Sequence, residues 1–143
     1  MKRYVNGVLG SLAGGIVFGM LMQMMGMIKM IAAMMGSDSV AVGWMIHLVL
    51  SAVFGIGFGL LFGRFARPWL GGLIYGVIWY VLGPLTIIPM MSGMGLQWSL
   101  AAITGSMSSL MGHLIYGLVL GLVFGWLEKR APAVAQHAGH AAR

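Results

Sequence analysis

The stretch Val42-Gly43-Trp44-Met45-Ile46-His47-Leu48-Val49-Leu50-Ser51-Ala52-Val53-Phe54-Gly55-Ile56-Gly57-Phe58-Gly59-Leu60-Leu61-Phe62-Gly63 decides the fold of this chain. It carries no formal charge at neutral pH and no proline. At about 1.5 Å per residue a helix of roughly 20 residues crosses a hydrocarbon core of about 30 Å. Lipid offers no partner to a backbone N–H or C=O, so a spanning segment is helical unless it belongs to a closed barrel. No alternating barrel pattern is present here.

Three more stretches of the same kind flank it, at about 7–28 (with a Met-rich extension toward Met35), 70–91 and 107–127. Over all 143 residues 60% are hydrophobic and 7% charged, where a soluble domain carries roughly 25% charged residues. So small a chain leaves a large share of its surface outside, and that surface must meet lipid. The expected architecture is all-α: a polytopic membrane protein with four transmembrane helices in a compact bundle over 1–130. A disordered cytoplasmic tail is expected over 131–143, rich in Ala with Pro132, His137, Gly139 and His140. The absence of Cys excludes a disulfide scaffold. The first apolar run is too long for a cleaved signal peptide, and Gly36-Ser37-Asp38-Ser39 lies too far along for a cleavage site.

The net charge of +6 is topological and makes no stripe for nucleic acid. Lys2, Arg3, Arg64, Arg67, Lys129, Arg130 and Arg143 fall on one side of the four spans and Lys29 alone on the other. By the positive-inside rule both termini are cytoplasmic and the loops at 36–41 and 92–106 face outward. Trp44 and Trp98 then mark the outer interface, and Trp69 and Trp126 the inner one. The expected location is a bacterial inner membrane.

The second and fourth spans read as copies at an offset of 66, with His47 on His113, Ser51, Gly55 and Gly59 on Gly117, Gly121 and Gly125, Phe58 on Phe124 and Arg64 on Arg130. The first and third match less well, with Gly10 on Gly76 and Met24-Met25 on Met90-Met91. Two tandem two-helix repeats are expected, related by an axis along the membrane normal. Ser51, Gly55, Gly59 and Gly63 recur every fourth residue, as do Gly117, Gly121 and Gly125; Gly10 with Gly14 and Gly72 with Gly76 are shorter versions. Such stripes let helix backbones approach closely, within one bundle or between copies. Pro84 and Pro89 each remove a backbone N–H and predict kinks that free the carbonyls of Tyr80 and Leu85.

Gly43-Trp44-Met45-Ile46-His47, Pro89-Met90-Met91-Ser92-Gly93-Met94-Gly95, His113-Leu114-Ile115-Tyr116-Gly117 and Met27-Ile28-Lys29-Met30-Ile31-Ala32 together resemble a family of small bacterial inner-membrane proteins known as a domain of unknown function. The resemblance covers nearly the whole chain except the tail. It implies four spans and carries over no catalytic residue.

Ionisable residues within a span are expensive to bury and are therefore functional candidates. His47 and His113 qualify, each about 8–9 Å below the outer boundary by the helical rise. Thirteen of the 15 Met fall in the outer half. Thioether and imidazole are soft, uncharged ligands, so His47 and His113 with Met90, Met91, Met94 and Met111 are the candidate set for copper. Two histidines also fit a bis-histidine haem. The plainer reading is packing: methionine fills irregular gaps and a membrane histidine bonds to a neighbouring helix. Asp38 and Glu128 are the only acids and lie on opposite sides, so paired carboxylates for acid–base work are absent. Ser106, Ser108 and Ser109 near His113 lack a third, orienting group for nucleophilic catalysis. No enzyme is expected. The leading expectation is a structural or accessory membrane subunit that packs with itself or a larger membrane complex through its Gly-xxx-Gly helices. The alternatives are a copper or haem binder, and a small-solute channel or carrier lined by the histidines, Thr86, Gln97 and Thr104.

Overall fold

The computed structural model of the protein describes residues 1–130 in full and the backbone of the last helix as far as Ala141; the tail expected over 131–143 lies outside the fully described residues. The order is α1 (Lys2–Met24), α2 (Met27–Met34), α3 (Val40–Leu61), α4 (Pro68–Leu82), a π-helical turn (Gly83–Ile87), α5 (Ile88–Met91), α6 (Leu100–Gly105) and α7 (Met107–Ala141). Among the described residues four helices are long and apolar enough to cross a membrane: Lys2–Met24, Val40–Leu61, Pro68–Met91 and Met107–Arg130.

Three boundaries differ from the sequence reading. The first span does not run on into the Met-rich extension, because Gly26 takes φ 73° and breaks the helix. The chain turns there, and α2 lays Ile28 and Ala32, both fully buried, against the start of α3. Ordinary L-residues seldom adopt that left-handed backbone, whereas glycine does so freely. The third span begins earlier, at Pro68, whose missing N–H is unneeded at a helix start. Gly63 lies beyond the end of α3, so the stripe of small residues on that helix closes at Gly59.

The π-helical turn follows from the prolines. Pro84 cannot donate to Tyr80, and the helix widens by one residue over Gly83–Ile87. Thr86 Oγ1 donates to the Val81 carbonyl at 2.7 Å. The Leu85 carbonyl freed by Pro89 is recovered by the Gln97 N–H at 2.9 Å, and Trp98 Nε1 donates to Thr86 Oγ1 at 3.1 Å. The 92–99 loop thus folds back on the widened turn.

The helices pack in the spatial order α3–α1–α7–α4. In the α1–α3 hairpin a Cβ on Gly55 would lie 2.5 Å from the Gly7 carbonyl oxygen, and one on Gly59 2.6 Å from that of Arg3. In the α4–α7 hairpin Gly72 abuts the Gly117 carbonyl, Gly76 that of His113, and Gly121 that of Pro68. The central contact joins α1 to α7, with Gly10 2.8 Å from the Leu120 carbonyl oxygen and Gly14 2.6 Å from that of Tyr116, measured again from an added Cβ. Gly125 touches the Pro68 ring. The stripes at Gly10, Gly14, Ser51, Gly55, Gly59, Gly72, Gly76, Gly117, Gly121 and Gly125 are therefore occupied inside the chain.

Residues of α3 and α7 matched at the offset of 66 make similar contacts in their own hairpins. His47 of α3 lies opposite Gly15 of α1, and His113 of α7 opposite Gly76 of α4. The counterpart of Gly76 in the first hairpin is thus Gly15, and the match of Gly10 to Gly76 by a constant offset is corrected. Gly76 and His113 are 37 residues apart and Gly15 and His47 are 32, and this difference of five shifts the offset from 66 for α3 and α7 to 61 for α1 and α4. Phe58 and Phe124, also equivalent, meet edge to face at 5.3 Å in the core.

A cleft between α3 and α4 as the candidate functional site

One neighbouring pair does not close through its backbones. Between α3 and α4 the contact is made by long aromatic side chains: Phe54 stacks on Trp79 with centroids 3.6 Å apart, and the Tyr75 hydroxyl donates to the Phe54 carbonyl at 2.7 Å. Toward the 92–99 loop this wedge ends and a cleft of about 430 Å³ opens, within the roughly 300–1,000 Å³ typical of small-molecule sites. Leu50 and Phe54 form one wall, and Trp79, Pro84 and Ile87 the other; Phe18, Met22 and Tyr116 are the floor. The π-helical turn shapes the second wall, since Gly83, Pro84 and Ile87 all belong to it.

Both predicted histidines face this one cleft, together with Ser51 and Ser109. His47 is buried and its Nε2 lies 2.9 Å from the Gly15 carbonyl oxygen. A carbonyl only accepts, so Nε2 carries the proton and Nδ1 keeps a free lone pair. His113 Nδ1 lies 2.8 Å from the Ser109 carbonyl oxygen of its own helix, so its Nε2 is the free nitrogen. The Phe18 ring meets both edge-on, at 6.0 Å from His47 and 4.8 Å from His113.

Beneath them a buried relay ties three helices. The Tyr116 hydroxyl donates to Ser11 Oγ, which donates to the Ser51 carbonyl, each at 2.5 Å. Ser51 Oγ in turn donates to the His47 carbonyl at 2.8 Å. Two buried side-chain atoms have no hydrogen-bond partner among the described residues, Trp79 Nε1 and Ser109 Oγ, and both residues line the cleft. Buried polar groups are nearly always paired, so each such atom calls for a reason.

The predicted methionine ligands are elsewhere. Met90, Met91, Met94 and Met111 are 59%, 69%, 63% and 55% exposed and none lines the cleft. The methionines that do are Met22 and Met27. Among the described residues no three His, Cys, Asp or Glu converge as a metal site. Thr86, Gln97 and Thr104 are also outside the lining, and the cleft ends on the Phe54, Trp79 and Tyr75 layer.

Sequence reasoning missed Trp79, Ser109 and Phe18 as site residues. Trp79 had a signal: it is the only one of the five tryptophans that lies in the middle of a span. Phe18 had none, being one aromatic in an apolar helix. Comparison with family models, with curated proteins and with solved structures finds no match.

Proposed function

We propose that the protein is an integral membrane binding protein without enzymatic activity, whose α3–α4 cleft takes a lipid-soluble small molecule sideways from the bilayer. The observation that carries this reading is the cleft itself: an apolar opening between two long helices, with two imidazoles and an unpartnered serine hydroxyl at its inner wall. A site of this make-up, mostly apolar with a few convergent polar groups, is the usual form of a small-molecule pocket.

The setting follows the charges. Lys2, Arg3, Arg64, Arg67, Lys129 and Arg130 sit at one end of the bundle and Lys29 at the other, which supports cytoplasmic termini in a bacterial inner membrane. The matched registers of the two hairpins support a tandem duplication of a two-helix unit. An accessory subunit that recruits partners through glycine stripes is the weaker reading, since the chain itself covers those stripes. The acids give no support to catalysis: Asp38 is exposed beside α3, and Glu128, at the far end, accepts from Asn6 Nδ2 at 2.6 Å.

Photolabelling tests the proposal. With the chain in phosphatidylcholine vesicles, an apolar diazirine should label the floor residues Phe18 and Met22 as well as the outward-facing leucines. Label confined to outward faces would show that the cleft does not admit bilayer solutes.

A further inference from the structure

We propose that the polar end of the cleft recognises the hydroxyl of an uncharged lipid alcohol, an inference that rests on reading the cleft as a site filled from the bilayer. Three features of the lining select this chemistry. First, both histidines have their N–H groups committed to backbone carbonyls, His47 to Gly15 and His113 to Ser109, so each offers the site an acceptor. Second, Ser109 is only 9% exposed, and its Oγ has no partner among the described residues. Many helical serines return their hydroxyl to the carbonyl four residues back, and Ser51, Ser92 and Ser106 all do so. Ser109, which faces the cleft, does not. Third, the only titratable side chains lining the cleft are the two histidines and Tyr116, whose hydroxyl is committed to Ser11, so no formally charged side chain there would pair with a charged head group.

A carbonyl head group, as in a ketone or quinone, could accept from the Ser109 hydroxyl or Trp79 Nε1 but would leave both imidazole acceptors without a donor. An ionised head group would be stranded without a counter-charge in an apolar wall. An alcohol meets both needs: its O–H donates to a free imidazole nitrogen and its oxygen accepts from the Ser109 hydroxyl. His113 and Ser109 are one helical turn apart on α7, so one hydroxyl would use both. The hydrocarbon body would lie along Leu50, Phe54 and Ile87 and leave through the opening toward lipid.

The test compares geranylgeraniol with its methyl ether, which keeps the hydrocarbon and loses only the donated proton. Each competes with the apolar diazirine for labelling of Met22 in the full chain in phosphatidylcholine vesicles. The alcohol is expected to suppress labelling at a concentration about ten-fold lower than the ether, the factor of one net hydrogen bond in an apolar site. Ser109→Ala is expected to fold normally, because its hydroxyl holds nothing, and to weaken both competitors about three-fold while leaving their ratio unchanged, since the ether oxygen accepts from Ser109 as the alcohol oxygen does. His113→Leu, a second variant, removes the acceptor of the donated proton and is expected to bring the two competitors to within about three-fold. Equal competition by alcohol and ether, with Met22 still labelled, would overturn the alcohol assignment and leave the bilayer-fed cleft standing. A ten-fold preference that survives in His113→Leu, or competition by both compounds unchanged in Ser109→Ala, would overturn it too. So would protection of Met22 by Cu(I) where the alcohol gives none, which would make the free imidazole nitrogens metal ligands. Loss of Met22 labelling in the absence of any competitor would instead defeat the underlying reading.

Discussion

The α1–α7 seam and the α3–α4 seam are the two places where one hairpin meets the other, and they are built in opposite ways. In the first, Gly10 and Gly14 bring α1 onto the Leu120 and Tyr116 carbonyls with no room for a methyl group. In the second, Phe54, Tyr75 and Trp79 hold the helices apart. If the hairpins are repeats related by an axis through the bundle, these seams are symmetry mates, and exact symmetry would have closed both. The lesson is that the cleft is a departure from the chain's own packing rule. At the α3–α4 seam Tyr75 stands where the α1–α7 seam has Gly14, with Phe54 in the place of Leu120 and Trp79 in that of Phe18, and the π-helical turn forms the wall beside them.

The largest effect should come from breaking the closed seam. A Cβ on Gly14 would already stand 2.6 Å from the Tyr116 carbonyl oxygen and 3.1 Å from its ring, so Gly14→Val should destabilise the bundle by roughly 3 kcal/mol. Unfolding of the purified protein in mixed micelles reads this directly, and a loss under 1 kcal/mol would mean the seam is not tight. Next comes the relay that ties this seam to α3. Ser11→Ala leaves the Tyr116 hydroxyl without its acceptor and should cost about 1–2 kcal/mol by the same measurement. A neutral result would show that the Tyr116–Ser11–Ser51 relay does not hold the three helices.

The open seam should respond more weakly. Phe54→Ala removes the stack on Trp79 and should cost about 1 kcal/mol of pairing, while photolabelling of Phe18 rises because the wedge is gone. A loss like that of Gly14→Val, with no rise in labelling, would mean the aromatic layer is ordinary core. The smallest effect belongs to Gly83→Ala in the cleft wall, where nothing lies within 4 Å of an added Cβ. Its stability should stay within about 0.5 kcal/mol of the parent, and a larger loss would mean the wall is packed where the structure leaves it open.

Much of the closed seam was legible in the sequence. A glycine every fourth residue has one structural meaning in an apolar helix, and each stripe found a neighbouring backbone. Composition alone was enough to predict four long apolar helices. The interruption at Gly26 was not readable, because the apolar run continues through it and only the backbone angle marks the break. The register of α1 against α4 was missed for a related reason: a constant offset ignores the five extra residues that separate Gly76 from His113 compared with Gly15 from His47, and glycine-rich helices align in several registers. His47 and His113 were legible as a pair because ionisable groups in lipid are rare. Their companions were not. Methionine is so frequent here that its spacing says little, and sequence spacing alone did not indicate whether a sulfur turns toward the cleft or away from it. The cleft itself was invisible, since it arises from what α3 and α4 fail to do.

The central claim is that bilayer chains reach the cleft between α3 and α4, and Trp79 is placed to report on it. With Trp44, Trp69, Trp98 and Trp126 replaced by Phe, the emission of Trp79 alone can be followed in lipids brominated along the acyl chain. The account predicts marked quenching relative to unbrominated lipid, partly relieved when geranylgeraniol fills the cleft. Emission identical in the two lipids would contradict it.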